Sequence, residues 1–275
     1  MISPKKKTVM YAGMVLITLM MVFPFMWMVL LSFKTNSDIM LAPLSMPNGI
    51  DFQNYRNALE TLNYPRMYYN TFLICGLSIL IELTITFLSS FVLARMEFNK
   101  KIKGMIYGFL ILGLTISPFI LLFPVYRINL FFGLKEKAGL ILPYVATSIS
   151  FNTLLLVGYL KSLPKEIDEA ALIDGCSLRQ LIAKVVLPMS KPVIATVVIF
   201  NVLYIWNEYP FASVMLRNIN NFTLSMGASF FKGKFSVDYG GIVASSIMII
   251  IPQLVFYGLF QRNIVDGMTS GAIKG

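Results

Sequence analysis

Residues 169–175 of this chain read Glu-Ala-Ala-Leu-Ile-Asp-Gly, and residues 185–188 read Val-Val-Leu-Pro. Both stretches belong to a charged segment, residues 162–188, that separates two long apolar runs. Charged and turn-forming residues are costly in hydrocarbon, so we expect the segment to face water while its flanks cross a membrane. A segment of this kind, in an otherwise apolar protein, predicts a contact surface for a soluble partner.

The composition predicts an all-α, polytopic membrane protein. Of the 275 residues, 57% are hydrophobic and only 13% are charged, whereas a soluble domain averages about 25% charged residues. The net charge of +10 comes from short basic clusters between apolar runs. That distribution is typical of anchoring on the cytoplasmic side of a membrane, and we do not expect nucleic-acid binding. The sequence contains no histidine, which excludes His-type zinc sites and Ser-His-Asp or Cys-His catalysis.

Six apolar runs are long enough to cross a bilayer as helices. With the N-terminus inside, 14 of the 23 lysines and arginines lie on the inner side, which favours N-in and C-in and places residues 162–188 in the cytoplasm. We predict three parts: a first span with an outer loop (1–69), a membrane-spanning core domain (70–265) and a C-terminal tail (266–275). The predicted spans are 11–33, 70–95, 104–126, 139–160, 190–216 and 239–261.

The segment 162–188 is predicted to form two short helices joined at a glycine. Pro164 fits the first turn of the first helix, and Gly175 would end that helix by adopting a positive φ angle. Ser177 and Gln180 form a capping-box pattern that starts the second helix, and Pro188 and Pro192 are expected to end it. From the residues alone, an amphipathic linker lying on the membrane surface is an equally acceptable reading.

The two quoted stretches together resemble the EAA signature of bacterial ABC-importer permeases, Glu-Ala-Ala-x3-Gly-x9-Ile-x-Leu-Pro. Every position matches except Val185, which stands where the signature has Ile. Cys176 also occupies a position where the carbohydrate branch commonly has Ala.

Two further stretches resemble the maltose-type members of the carbohydrate branch. Trp206-Asn207-Glu208-Tyr209-Pro210 is similar to a Trp-Asn-Asp/Glu motif of the fifth span. Residues 267–275 resemble the tail of the second, MalG-like permease of maltose-type pairs.

The resemblance implies a type I permease fold in a bacterial cytoplasmic membrane and a role in the import of a carbohydrate, a di- or oligosaccharide. It implies four kinds of partner: a second permease in a heterodimer, two ATP-binding cassette subunits that bind ATP and magnesium, an extracytoplasmic solute-binding protein, and membrane lipid. The chain itself would hold no cofactor and no catalytic residue. By position, the residues that dock on the ATPase would be Glu169, Ala170, Ala171, Asp174 and Gly175, with Gly271 and Lys274 of the tail near the ATPase interface.

Two groups of polar residues lie within predicted spans. Trp206, Asn207, Glu208 and Tyr209 could stack on a sugar face and bond its hydroxyls, or they could line a subunit interface or a gate. Glu82 must face the interior of the bundle or a partner, since a carboxylate in hydrocarbon is expensive.

Two other functions stay open at this point. A permease of the same type could carry a non-sugar solute such as glycerol phosphate. A self-sufficient, ion-coupled secondary transporter would need internal repeats and a relay of ionisable groups, and the two isolated intramembrane carboxylates offer a poor relay.

Overall fold

The computed structural model describes the backbone of residues 4–233 and 236–272, and the side chains of residues 5–233 and 236–260. Within these residues the only β pairing is an isolated bridge between Lys232 and Val237. The α-helices are α1 (Pro4–Leu31), α2 (Asn36–Leu41), α3 (Gln53–Thr61), α4 (Tyr64–Arg95), α5 (Lys100–Leu112), α6 (Pro118–Phe131), α7 (Glu136–Ser162), α8 (Glu166–Ile173), α9 (Leu178–Gln180), α10 (Leu187–Met189), α11 (Lys191–Asn207), α12 (Pro210–Met215), α13 (Gly227–Phe230) and α14 (Tyr239–Ala272).

The helices α1, α4, α7 and α14 are each long and apolar enough to cross a membrane. Two pairs of shorter helices pass the same test together: α5 with α6, and residues 178–189 with α11. The prediction of six spans holds when each of these bent pairs is counted as one span.

The third predicted span, 104–126, is wrong as a single helix. The chain bends by 105° between α5 and α6, through a 3-10 turn at Gly113–Thr115. Pro118 has no amide hydrogen and disfavours the helical conformation at the residue before it, so it begins a new helix instead of bending an old one. Pro124 stays inside α6.

The fifth predicted span, 190–216, is also too long. Its helix α11 ends at Asn207, and Glu208 is extended, with ψ 115°. Pro210 then occupies the first turn of the separate helix α12. Because proline is best tolerated in a first turn, the Trp206–Pro210 motif ends one helix and starts another.

The chain forms two compact units, one made of the residues up to Tyr64 with Met226–Pro252, the other of Pro65–Ser225 with the residues from Gln253 onward. In the second unit, side chains from α4, α7, α8 and α11 share one apolar cluster with the segment that joins α9 to α10. Its buried members are Phe87, Phe91, Leu156, Leu160, Ala171, Leu181, Val186, Val193 and Val197.

Candidate functional site

The segment 162–188 has the two-helix form predicted for it. Helix α8 begins at Glu166, so the prediction that Pro164 lies in its first turn is wrong. The first turn instead carries three carboxylates, which the helix dipole favours there. Gly175 has φ +80°, and the amide of Cys176 donates to the carbonyl of Ala171 at 3.0 Å. A glycine in the left-handed region therefore ends the helix, as predicted.

The second helix starts with the predicted capping box. The amide of Gln180 donates to Ser177 Oγ, and Gln180 Oε1 accepts from the amide of Ser177 at 2.8 Å. The helix then passes through a π-helical stretch, Leu181–Val186, that the sequence did not predict. Helical structure continues past Pro188 to Met189, and the next helix begins at Lys191, so this helix ends between Pro188 and Pro192, the two prolines predicted to end it. Pro188 has no amide hydrogen, so it leaves a carbonyl one turn earlier without a donor. Residues 183 and 184 of that turn are exposed, and water can satisfy this carbonyl.

Arg95, at the end of α4, holds the start of this segment in place. Its guanidinium donates from Nη1 to the carbonyl of Leu163 at 2.9 Å and from Nη2 to the carbonyl of Pro164 at 3.4 Å. Its Nε lies 3.3 Å from Asp168 Oδ2, and the Arg95 side chain is only 4% exposed. Sequence reasoning missed this residue; the available signal was a lone arginine closing a long apolar run.

The five residues predicted to dock on an ATPase do not share one surface. Ala171 is buried in the apolar cluster of its own chain, whereas Glu169, Ala170, Asp174 and Gly175 are exposed.

Two further exposed residues of α8, Leu172 and Ile173, are apolar, and Ile173 is 86% exposed. These two were missed because they fall at the variable positions of the signature. The exposed tip of the segment, residues 169, 170 and 172–175, is called the knob below. It combines an apolar centre with carboxylates at its edge.

The candidate sugar-contacting residues 206–209 are also partly buried and partly exposed. Trp206 is buried, with its ring 5.4 Å from that of Phe72 and 6.4 Å from that of Tyr68, centroid to centroid. Asn207 and Tyr209 are exposed, and Asn207 Nδ2 donates to the carbonyl of Leu203 at 2.7 Å.

Glu208 is buried and supports helix α12. Its Oε1 accepts from the amide of Phe211 at 2.7 Å, and its Oε2 accepts from the amide of Ala212 at 3.1 Å and from the hydroxyl of Tyr144 at 2.7 Å. Both carboxylate oxygens are therefore used within the chain, which favours a supporting role over direct contact with a sugar.

A cavity of about 380 Å³ in the second unit was not predicted. It lies between the bend that follows α5, helix α7 and helix α11. Hydroxyl and amide groups project into it beside aromatic rings, and Asn201 is fixed by donating from Nδ2 to Asn152 Oδ1 at 2.9 Å. The main polar and aromatic lining residues are Thr147, Ser148, Ser150, Phe151, Phe200, Asn201 and Tyr204.

Glu82, on α4, faces the interior of the same unit and is fully buried. Its carboxylate lies near the side chains of Ser148 and Asn152 on α7. Of the two predicted settings, interior or partner, the structure places it in the interior.

The two predicted tail residues lie at and beyond the end of the described backbone. Gly271 lies within the backbone of α14, in the part of that helix whose side chains are not described, and Lys274 lies outside the described residues.

Comparisons with known proteins bear on both the fold and the family. Residues 85–270 match the family described as binding-protein-dependent transport system inner membrane component. The diacetylchitobiose uptake system permease protein NgcG of Streptomyces coelicolor is 30% identical over 96% of this chain and 88% of its own length. The trehalose/maltose transport system permease protein MalG of Thermococcus litoralis is also 30% identical, over 98% of each chain.

The fold is similar to that of a solved bacterial ABC transporter involved in the import of the acidic polysaccharide alginate. The TM-score is 0.78 at 20% identity, over 95% of this chain and 98% of the other. The six spans therefore adopt the type I permease fold, and the protein is a multi-pass membrane protein. On the match to residues 85–270 and the near full-length relatives, the chain belongs to the family of binding-protein-dependent transport system inner membrane components.

Proposed function

We propose that this chain is the membrane-spanning permease subunit of an ATP-driven importer of a di- or oligosaccharide in the bacterial cytoplasmic membrane. It works as a heterodimer with a second permease, receives its sugar from a solute-binding protein, and is driven by two ATP-binding cassette subunits that bind ATP and magnesium. The chain converts closure of those subunits into alternating access.

The knob is the observation that carries the coupling part of this proposal. Its apolar side chains Leu172 and Ile173 are exposed, while Ala171 beneath them is fixed in the core. Arg95 ties the start of the same segment to the end of α4. A rigid, partly apolar projection suits a docking surface because force applied to it passes directly to α4 and to α11, into which the segment leads. The tail from residue 267 onward is proposed to reach the ATPase interface through Gly271 and Lys274.

The cavity supports the sugar class. Aromatic faces such as those of Phe200 and Tyr204 suit the apolar face of a sugar ring, and Thr147 and Asn201 can bond hydroxyls. The relatives named above transport diacetylchitobiose and trehalose or maltose, and the solved transporter imports alginate. All of these are saccharides of two or more units, which favours an oligosaccharide over glycerol phosphate.

Replacement of Gly175 tests the coupling role. Gly175→Trp should abolish ATP-driven uptake in reconstituted transporter while the subunit stays inserted, because the ring would occupy the surface that meets the ATPase. A Cβ atom there meets no atom of the chain within 4 Å, so the main cost inside the subunit is the backbone strain of a positive φ, about 1–2 kcal/mol.

Two controls separate docking from strain. Gly158→Trp makes the same change at a glycine of α7 that also faces open space and has no positive φ, and uptake should persist. Gly175→Asn introduces a residue that tolerates the left-handed region. An uptake defect in that variant would therefore come from the added side chain and not from backbone strain. Normal uptake by Gly175→Trp would refute the docking role.

A further inference from the structure

We infer that residues 36–52 form an interfacial anchor, called the loop anchor, which inserts its apolar side chains into the lipid leaflet at which α1 ends. This surface is separate from the transport mechanism proposed above. Six large apolar side chains in it are each at least 60% exposed: Met40, Leu41, Leu44, Met46, Ile50 and Phe52. So many exposed apolar groups within 13 residues indicate an interaction surface.

The loop anchor is tied at two points to the residues that follow α1. The ammonium of Lys34, three residues beyond the helix, donates to the carbonyl of Ala42, to the carbonyl of Ser45 at 3.0 Å and to Ser45 Oγ at 2.9 Å. Just after the loop, Asn54 Nδ2 donates to the carbonyls of Ser32 and Lys34, at 2.8 Å each. The loop therefore folds back on the end of α1 and cannot extend far from it.

The end of α1 lies at the membrane surface. Within its span, Lys5–Leu31, none of the most apolar stretch is buried inside the chain. At 1.5 Å per residue this span is about 40 Å long, enough to cross the hydrocarbon core of about 30 Å and reach the headgroups. A loop fastened three residues beyond Leu31 starts at the boundary between lipid and water.

The chemistry of the loop fits lipid better than a protein partner. Between Asp38 and Asp51 there is no charged residue, as the cost of charge near hydrocarbon requires. Backbone carbonyls cannot be satisfied by lipid, and the buried Lys34 ammonium satisfies those of Ala42 and Ser45 internally. A protein interface normally offers about one hydrogen bond per 100–200 Å². Between Asp38 and Asp51 only the side chains of Ser45 and Asn48 can form one, and the Ser45 hydroxyl is already bonded within the loop. Helix α1, to whose end the loop is fastened, also exposes its apolar side chains and itself has to face lipid or another span.

Spin labels can test the depth of the loop anchor in native membrane vesicles. Leu41→Cys and Leu44→Cys would be labelled in a background in which Cys75 and Cys176 are replaced by alanine. The rate at which each spin label collides with oxygen, which concentrates in lipid, is compared with the rate at which it collides with a water-soluble nickel complex. The oxygen-to-nickel ratio at both positions should be several-fold higher than at a label on Arg56→Cys, an exposed position of α3.

Two results would overturn the inference. A ratio equal to that at residue 56 would place the loop in water. A label that neither reagent reaches would show that the loop is buried against a protein, either the second permease or the binding protein. Replacement of Lys34 by alanine, combined with the label at residue 44, should lower the ratio by freeing the loop from α1; an unchanged ratio would refute the tie as the cause of insertion.

Discussion

Replacement of Arg95 should loosen the coupling segment while leaving the spans intact. The change Arg95→Gln removes an ion pair at 3.3 Å to Asp168 and two hydrogen bonds to the carbonyls of Leu163 and Pro164. The two side chains of the pair are 4% and 17% exposed, so solvent replaces little of what is lost. Breaking a buried pair by removing one partner costs about 3–5 kcal/mol, and the lower value is a factor of roughly 150 in a local opening equilibrium.

Amide hydrogen exchange measures this opening directly. We expect residues 163–175 of Arg95→Gln to exchange about two orders of magnitude faster than in the parent chain, with exchange in α4 and α7 unchanged. The matched control is Lys165→Gln, which breaks the neighbouring pair with Glu97, at 3.2 Å but with side chains 65% and 87% exposed. Exposed pairs are worth about 0–1 kcal/mol, so the control should change little. Equal exchange in Arg95→Gln and the parent chain would refute the bracing role.

Three further outcomes are expected. Glu208→Gln should lower the thermal unfolding temperature. The new amide nitrogen would replace one carboxylate oxygen and so face either the amide of Phe211 or the amide of Ala212 with the Tyr144 hydroxyl, at a cost of about 1–3 kcal/mol. Altered sugar preference at unchanged stability would contradict the supporting role of Glu208. Phe200→Ala should raise KM for uptake more than it lowers kcat, because it removes an aromatic wall of the cavity; an unchanged KM would exclude this cavity from the sugar path. Removal of residues 267–275 should reduce stimulation of the ATPase in reconstituted transporter, and full stimulation would make the tail dispensable.

The parts of the fold that depend on neighbouring residues were predictable from the sequence. The positive φ at Gly175 and the capping box at Ser177 and Gln180 were predicted because each satisfies backbone groups only a few residues away. The apolar runs likewise located the spans. The breaks at Pro118 and Pro210 were harder, because a proline in an apolar run can kink a helix or start a new one, and the neighbouring helices decide which.

The placement of side chains in space was not predictable. Helix α8 has apolar residues on more than one side, so the sequence could not show that Ala171 faces the core while Ile173 faces water. The contact of Arg95 with Asp168 joins residues more than 70 positions apart. The contact that buries Trp206 against Phe72 joins residues that are still further apart in the sequence. The motif around Trp206 predicted a functional region, but only the packing of α4 against α11 assigns its tryptophan to the interior.

Photocross-linking at Ile173 tests most directly whether the knob receives force from an ATP-driven subunit. A benzoylphenylalanine replacing this side chain, 86% exposed at the tip of α8, should cross-link in intact cells to an ATP-binding subunit, with a yield that changes on ATP binding. The same probe at Met14 of α1, also exposed, should give no such product. Absence of the cross-link from position 173 would contradict the account, as would labelling of a cysteine placed there by a membrane-impermeant thiol reagent added outside the cell.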